Sequence, residues 1–300
     1  VTGVLAILRF DRTVADLVRT EAFYRDALGF VRQAPPEPLP PAEAQALGLS
    51  GFDGRRLRMA LGHQQVSFLA LDPPGAPYPT DSDATDPVFQ HLAIPVRDMA
   101  KAFAQLSAHH HAPISQGGPQ VLPLSSGGVA AYKFRDPDGH PLELIHFPGG
   151  EPAERWAGAP GLFLGIDHSA ITVTDLDAAI GFLGGALGLT VSERGLNRGP
   201  EQARLDGLAD PVVDVIAMTP PDPAPHVELL HYREPQRTQS TRAFGPADCA
   251  STRFVFAVED PAALAETIAL SGFSVRITAD ETACYASGPD GHGFVFLRQG

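Results

Sequence analysis

The chain has 300 residues, 44% of them apolar and 19% charged, a composition that folds and is long enough for two ordinary domains. Its net charge of −13 repels phosphate backbones and anionic bilayers, so neither nucleic-acid nor membrane-surface binding is expected. There is no apolar run long enough to span a bilayer, no leader pattern, and no zinc-type spacing between Cys249 and Cys284; a cytoplasmic protein in a reducing compartment is expected.

Taken in chain order, the first helix is read over Val14–Leu28, stopped by Gly29. Ala34–Ala46, with five prolines, reads as a loop insertion, and Asp72–Pro87 as a linker. A strand begins at His91, and Asp98 caps a helix over Met99–Ala108. Short β-like runs follow near Ile114–Gln116, Ala130–Arg135 and Pro141–Phe147, the last two joined by the Asp136-Pro137-Asp138-Gly139 turn. Pro148–Pro160 reads as a second linker. A strand at His168 then leads to a helix over Leu176–Leu187, stopped by Gly188. After a third linker, Glu234–Asp248, comes a strand at Arg253 and a helix over Pro261–Leu270, stopped by Gly272.

These elements repeat. Phe23–Phe30 recurs as Phe182–Leu189, and Pro137-Asp138-Gly139-His140 as Pro289-Asp290-Gly291-His292, so the chain is two diverged halves, 1–149 and 150–300. Each half divides again. His91–Met99 and His168–Leu176 share the pattern H-x-A-I-x-V-x-D-[ML], and Arg253–Asp260 is a looser copy. The expectation is an α+β protein of four βαβββ modules near 1–72, 88–149, 162–233 and 249–300.

This strand, the Asp-led helix, the A-L-G-[FL] helix end and the closing D-P-D-G-x-x-x-E-L strand resemble the glyoxalase / bleomycin-resistance / extradiol-dioxygenase (vicinal oxygen chelate) superfamily over nearly the whole chain. The resemblance implies modules paired into two half-open eight-stranded barrels. In each, a hollow holds a divalent metal or a ligand, with metal ligands drawn from the first and last strands of a module. Carried over, module two offers His91 and Glu143, and module three offers His168 and Glu228. Module one presents Arg9 and Ser67 instead, and module four presents Arg253 and Val295.

Two imidazoles and two carboxylates suit a divalent ion, which could be Zn, Ni, Fe, Mn or Co, and nearly cancel its charge. Such an ion acidifies a C–H beside a chelated carbonyl, and Glu143 or Glu228 could then move the proton as the catalytic base. The resemblance therefore implies a lyase or isomerase of glyoxalase type acting on a small oxygen-chelating carbonyl substrate. Two alternatives stay open: a metal-free small-molecule binding or resistance-type protein, and a relative of the extradiol dioxygenases with a degenerate site. The dioxygenase pattern wants His and Glu in module four, where Arg253 and Val295 stand. Arg253 instead aims a cation at a hollow and is expected to bind an anionic substrate group.

A complete ligand set forms only if modules two and three face each other. Sequential pairing, one with two and three with four, would leave two half-sites, and the residues do not decide between these arrangements. Pairing between chains, which would make a homodimer, is equally open. The remaining histidines read as structural: His109-His110-His111 as a solvated helix end, His140 and His292 as turn residues, and His146 and His231 as lying on the opposite strand face from the two glutamates. Trp156, in a linker, could cover the mouth of a cavity.

Overall fold

The computed structural model describes residues 3–222, 225–236 and 244–299. Four modules are built on one plan. Their first strands are Val4–Thr13, Gln90–Pro95, His168–Thr172 and Thr252–Val258. Each runs into a helix whose N-cap is an aspartate: Asp16, Asp98, Asp175 and Asp260 all accept hydrogen bonds from backbone N–H groups of the first turn. Each such cap stabilises its helix by about 1 kcal/mol. The first helix begins at Leu17 rather than Val14. The preceding strand extends to Thr13, and the Val14 N–H is already committed to the Leu69 carbonyl. Gly29, at φ 73°, ends that helix in the left-handed conformation that a side chain would resist.

The strands form two sheets, and each sheet takes one module from either half of the sequence. In the first, modules four and one lie side by side, joined where Val4–Thr13 pairs antiparallel with Thr252–Val258. In the second, modules three and two are joined where His168–Thr172 pairs antiparallel with Gln90–Pro95. In every module the last strand lies parallel to the first, so the first strands occupy the centre of their sheets. Both sheets stay open, each curving round a hollow. One continuous core, drawing on Phe10, Leu92, Ile171, Phe254 and residues of all four module helices, lies on the faces away from the hollows. Period-two alternation follows: Leu92 and Ile94 enter this core, while His91 and Ala93 face the second hollow.

Three stretches differ from the sequence reading. The linker 148–160 carries a short helix, Gly150–Trp156. The proline-rich insertion holds a strand pair at Glu37–Pro38 and a helix, Pro41–Ala46. Proline supplies a fitting φ and needs no amide partner at a helix start, so a proline-rich loop accommodates a one-turn helix readily. A second insertion helix, Pro200–Asp206, occupies the equivalent place in module three. Residues 237–243 of the third linker lie outside the described residues. Among the described residues, no helix is long and apolar enough to cross a membrane.

Candidate metal centre between modules two and three

The strand registers make the equivalences between modules exact to the residue. His91 sits opposite Ala170 and His168 opposite Ala93 across the central antiparallel pair. Glu143 lies beside Ala93 and Glu228 beside Ala170 on the flanking parallel strands. Approximate two-fold symmetry thus turns four matching positions toward one point. His91 Nε2 lies 3.2 Å from Glu143 Oε2, and His168 Nε2 lies 3.8 Å from the same oxygen and 3.5 Å from Glu228 Oε2. The imidazole centroids are 5.6 Å apart. His91, His168 and Glu228 each offer a ligand atom within 4.8 Å of the others. The four residues line a cavity of about 280 Å³.

Burial sets the protonation pattern. It pulls His91 down to about 4, against the pull of Glu143. At His168 burial also lowers, but Glu228, Asp167 and Glu143 together lift the imidazole to about 9. Glu143 is raised by burial, yet His91, Lys133 and His168 bring it down to about 2. Burial keeps Glu228 above its ordinary range, against the attraction of His168. Four donors thus crowd one point, with His168 the one cation among them while no ion is bound. The Nε2 atoms of His91 and His168 are buried without a geometrically sound hydrogen bond. The donor set fits a divalent ion: lone pairs converge, and two carboxylates offset its charge.

Residues beyond the four give the site its precision. His168 Nδ1–H donates to Asp167 Oδ2 at 3.0 Å, which fixes the tautomer and turns Nε2 into the cavity. Asp167 is itself held, its Oδ1 accepting from Trp156 Nε1 and Arg155, each at 3.1 Å. Trp156 is therefore a buried strut behind the site rather than a cover at its mouth. Its ring reaches Asp167 across Gly165, where a Cβ would come within 2.4 Å of the indole. His226, two residues before Glu228 and so on the same face, also lines the cavity; burial lowers it to about 4. Lys133, directly opposite Glu143 in the neighbouring strand, donates from Nζ to Asp206 at 2.7 Å. Asp206 also accepts from Gln202 and Tyr232, so the insertion helix Pro200–Asp206 is latched over the cavity by a buried ion pair.

Sequence reasoning missed Asp167, His226, Lys133 and Asp206. Two had a legible signal: Asp167 directly precedes a candidate ligand, and His226 shares the strand face of Glu228. Lys133 and Asp206 had none, because their pairing joins different modules across 73 residues. The other histidines fall outside the cluster. His140 and His292 donate from Nε2 to the Thr13 and Thr172 carbonyls, tying module two to one and module four to three. His146 meets the Val96 carbonyl, His231 meets Asp214, and His111 packs beside Tyr132. Arg253 is not in this cavity; it lies fully buried in the other sheet.

The comparisons with known proteins agree with this architecture. The sequence profile described as "Glyoxalase/Bleomycin resistance protein/Dioxygenase superfamily" matches residues 6–144 and 165–296. Glyoxalase I from Zea mays is similar in structure, with a TM-score of 0.65 at 17% identity, covering 98% of this chain and 92% of that one. A candidate dioxygenase from Bacillus subtilis is similar with a TM-score of 0.60 at 15% identity, covering 99% and 86%. At these identities the likeness is one of fold. No curated protein sequence matches the chain. The profile spans both halves, and the chain belongs to the Glyoxalase/Bleomycin resistance protein/Dioxygenase superfamily.

Proposed function

We propose that this chain is a metal-dependent lyase or isomerase of glyoxalase type, acting on a small carbonyl substrate that chelates through neighbouring oxygens. One observation carries the reading: four donors from equivalent positions of modules two and three crowd together in a cavity, with two imidazole Nε2 atoms lacking hydrogen-bond partners. His91, Glu143, His168 and Glu228 would hold the ion. When bound, a divalent ion acidifies the C–H beside a chelated carbonyl by drawing off the developing charge.

The residues themselves do the rest. Asp167 keeps the His168 proton on Nδ1 and the ring fixed. Glu228, more exposed than Glu143 at 18% against 7%, is the carboxylate assigned to take and return the substrate proton at an Oε atom. The latched helix Pro200–Asp206 limits water entry from above. The test is elemental analysis with turnover of 2-oxo or 2-hydroxy carbonyl compounds. Glu143→Gln and Glu228→Gln should each lower metal content and activity more than ~100-fold, beyond the range set by loss of a supporting residue. Glu151→Gln, on the surface helix, should change neither. Full metal content in both cavity variants would refute the assignment.

A second reading rests on a narrower observation. His91, His168 and Glu228 alone form a two-histidine, one-carboxylate group of the kind used by iron dioxygenases. Oxygen consumption with a catechol by the iron-loaded protein would favour it; its absence beside carbonyl turnover would dismiss it.

A further inference from the structure

The hollow between modules one and four has no imidazoles, yet it is far from apolar. By register, Arg9 and Arg253 stand where His91 and His168 stand in the other sheet, and Ser67 and Val295 replace the two glutamates. The charged groups meeting there pair almost completely. Arg9 binds Asp11 through Nε at 2.8 Å and reaches Glu43 at 3.2 Å. Arg56 holds both Glu43 oxygens at 2.8 Å and Glu37 at 2.8 Å, and Arg58 also binds Glu37. Of these four guanidiniums, Arg253 is the buried one left without a carboxylate; Arg276, on the same sheet face, is exposed and lies over the Tyr285 ring.

Arg253 is fully buried, and among the described residues it has no ion pair. Its NH groups meet neutral oxygens only, Thr13 Oγ1 at 3.4 Å and the Pro246 carbonyl. Among the described residues its Nε has no hydrogen-bond partner, and neither has the Oγ of fully buried Ser67. Arg253 and Ser67 both lie directly opposite Asp11, so they share the face that lines this hollow. Gly293 makes the room: a Cβ there would sit 3.0 Å from Arg253 Cγ. None of the residues outside the described set carries a side-chain carboxylate that could complete the pairing. Asp11 and Glu43 act on it only at longer range, and both are already committed to Arg9 and Arg56. A buried guanidinium hydrogen-bonded only to neutral acceptors is costly, because dipoles do not return what its lost hydration supplied.

We propose that this second hollow is an anion site. Its ligand is a small monovalent anion, a halide or a carboxylate of formate or acetate size, with Arg253 as the counter-charge and Ser67 as a further donor. The helix Pro41–Ala46 seals it, with Leu39, Leu47 and Leu49 packed over Val255 and Val295. That packing restricts the ligand to a few atoms and rejects anything the size of a sugar phosphate.

The experiment is thermal unfolding of the metal-loaded full chain in gluconate, an anion too large to enter, with chloride, bromide, formate or acetate titrated in. The melting temperature should rise saturably with one or more of the small anions and not with phosphate. Arg253→Met should lose that rise and Ser67→Ala should weaken it. Glu43→Gln, which removes a fixed carboxylate from the same hollow, should saturate at lower anion concentration. Should Arg253→Met fail to fold, bromide-soaked crystals of the unaltered protein decide. An anomalous peak within hydrogen-bonding reach of the guanidinium supports the site. No peak there, or melting indifferent to every small anion, overturns it. Metal content reports separately on the other hollow and should not change in any of these variants.

Discussion

The two hollows began from one plan and diverged at every position that matters. Both are roofed by a short insertion helix that starts at a proline and sits at the same place in its module, Pro41–Ala46 in module one and Pro200–Asp206 in module three. Both helices present a carboxylate to cations beneath: Glu43 to Arg56 and Arg9, Asp206 to Lys133. The outcome differs. Leu39, Leu47 and Leu49 pack with Val255 and Val295 and close the first hollow over its charged residues, whereas the second keeps a cavity of about 280 Å³ over four convergent donors. Imidazole is short and neutral with a lone pair; guanidinium is long, cationic and has none. Two substitutions of that kind convert a place that attracts a cation into one that attracts an anion. The sheet scaffold is indifferent to the change, because its core lies on the opposite faces of the same strands.

Three outcomes sharpen the contrast. The largest concerns the latch over the open hollow. Lys133→Met leaves Asp206 buried and without its cation, and should destabilise the fold by about 3–5 kcal/mol in denaturant titration. A loss below about 1 kcal/mol would mean that the pair does not hold the helix down.

Next in size is Asp167→Asn. The amide can no longer accept from His168 as a charged partner, so metal affinity should drop by about 10–100-fold with the melting temperature little changed. Competition with a chelator measures this directly; unaltered affinity would reduce Asp167 to a structural role.

The smallest tests a feature the two sequence halves share. His140, buried and pressed by Arg12, is lowered to about 3 in the fold, against about 6.5 in an unfolded chain. The folded state binds that proton less readily. Its contribution to stability is therefore intact above about pH 6.5 and is lost progressively as the pH falls toward 3. His140→Asn should flatten this part of the acid unfolding profile, and an identical profile would assign the sensitivity elsewhere.

Much of this is legible in the sequence alone. The aspartate caps at Asp98, Asp175 and Asp260, the glycine stops and the module boundaries follow from local rules that act within a few residues, and His91, Glu143, His168 and Glu228 emerge from aligning repeats; the Asp16 cap was hidden inside a helix read from Val14. The crossing of modules between halves was legible only indirectly, through the ligand set that it completes. It depends on which first strands pair across the centre of a sheet, and nothing local to those strands distinguishes the two arrangements. The insertion helices escaped for a related reason: a single turn has no hydrophobic period to read, and its stability comes from partners far away in sequence, such as Lys133 for Asp206. Trp156 shows the same limit. Its place in a proline- and glycine-rich stretch hid a role as support for Asp167.

The central claim is that the two hollows now hold ions of opposite sign, with a divalent metal confined to the one between modules two and three. Anomalous diffraction at the absorption edge of the metal found by elemental analysis tests it most directly. The account predicts one peak per chain, with His91 and His168 Nε2 and oxygens of Glu143 and Glu228 about 2.0–2.2 Å away. No peak among those four residues, or a peak beside Arg9 and Arg253, would contradict it.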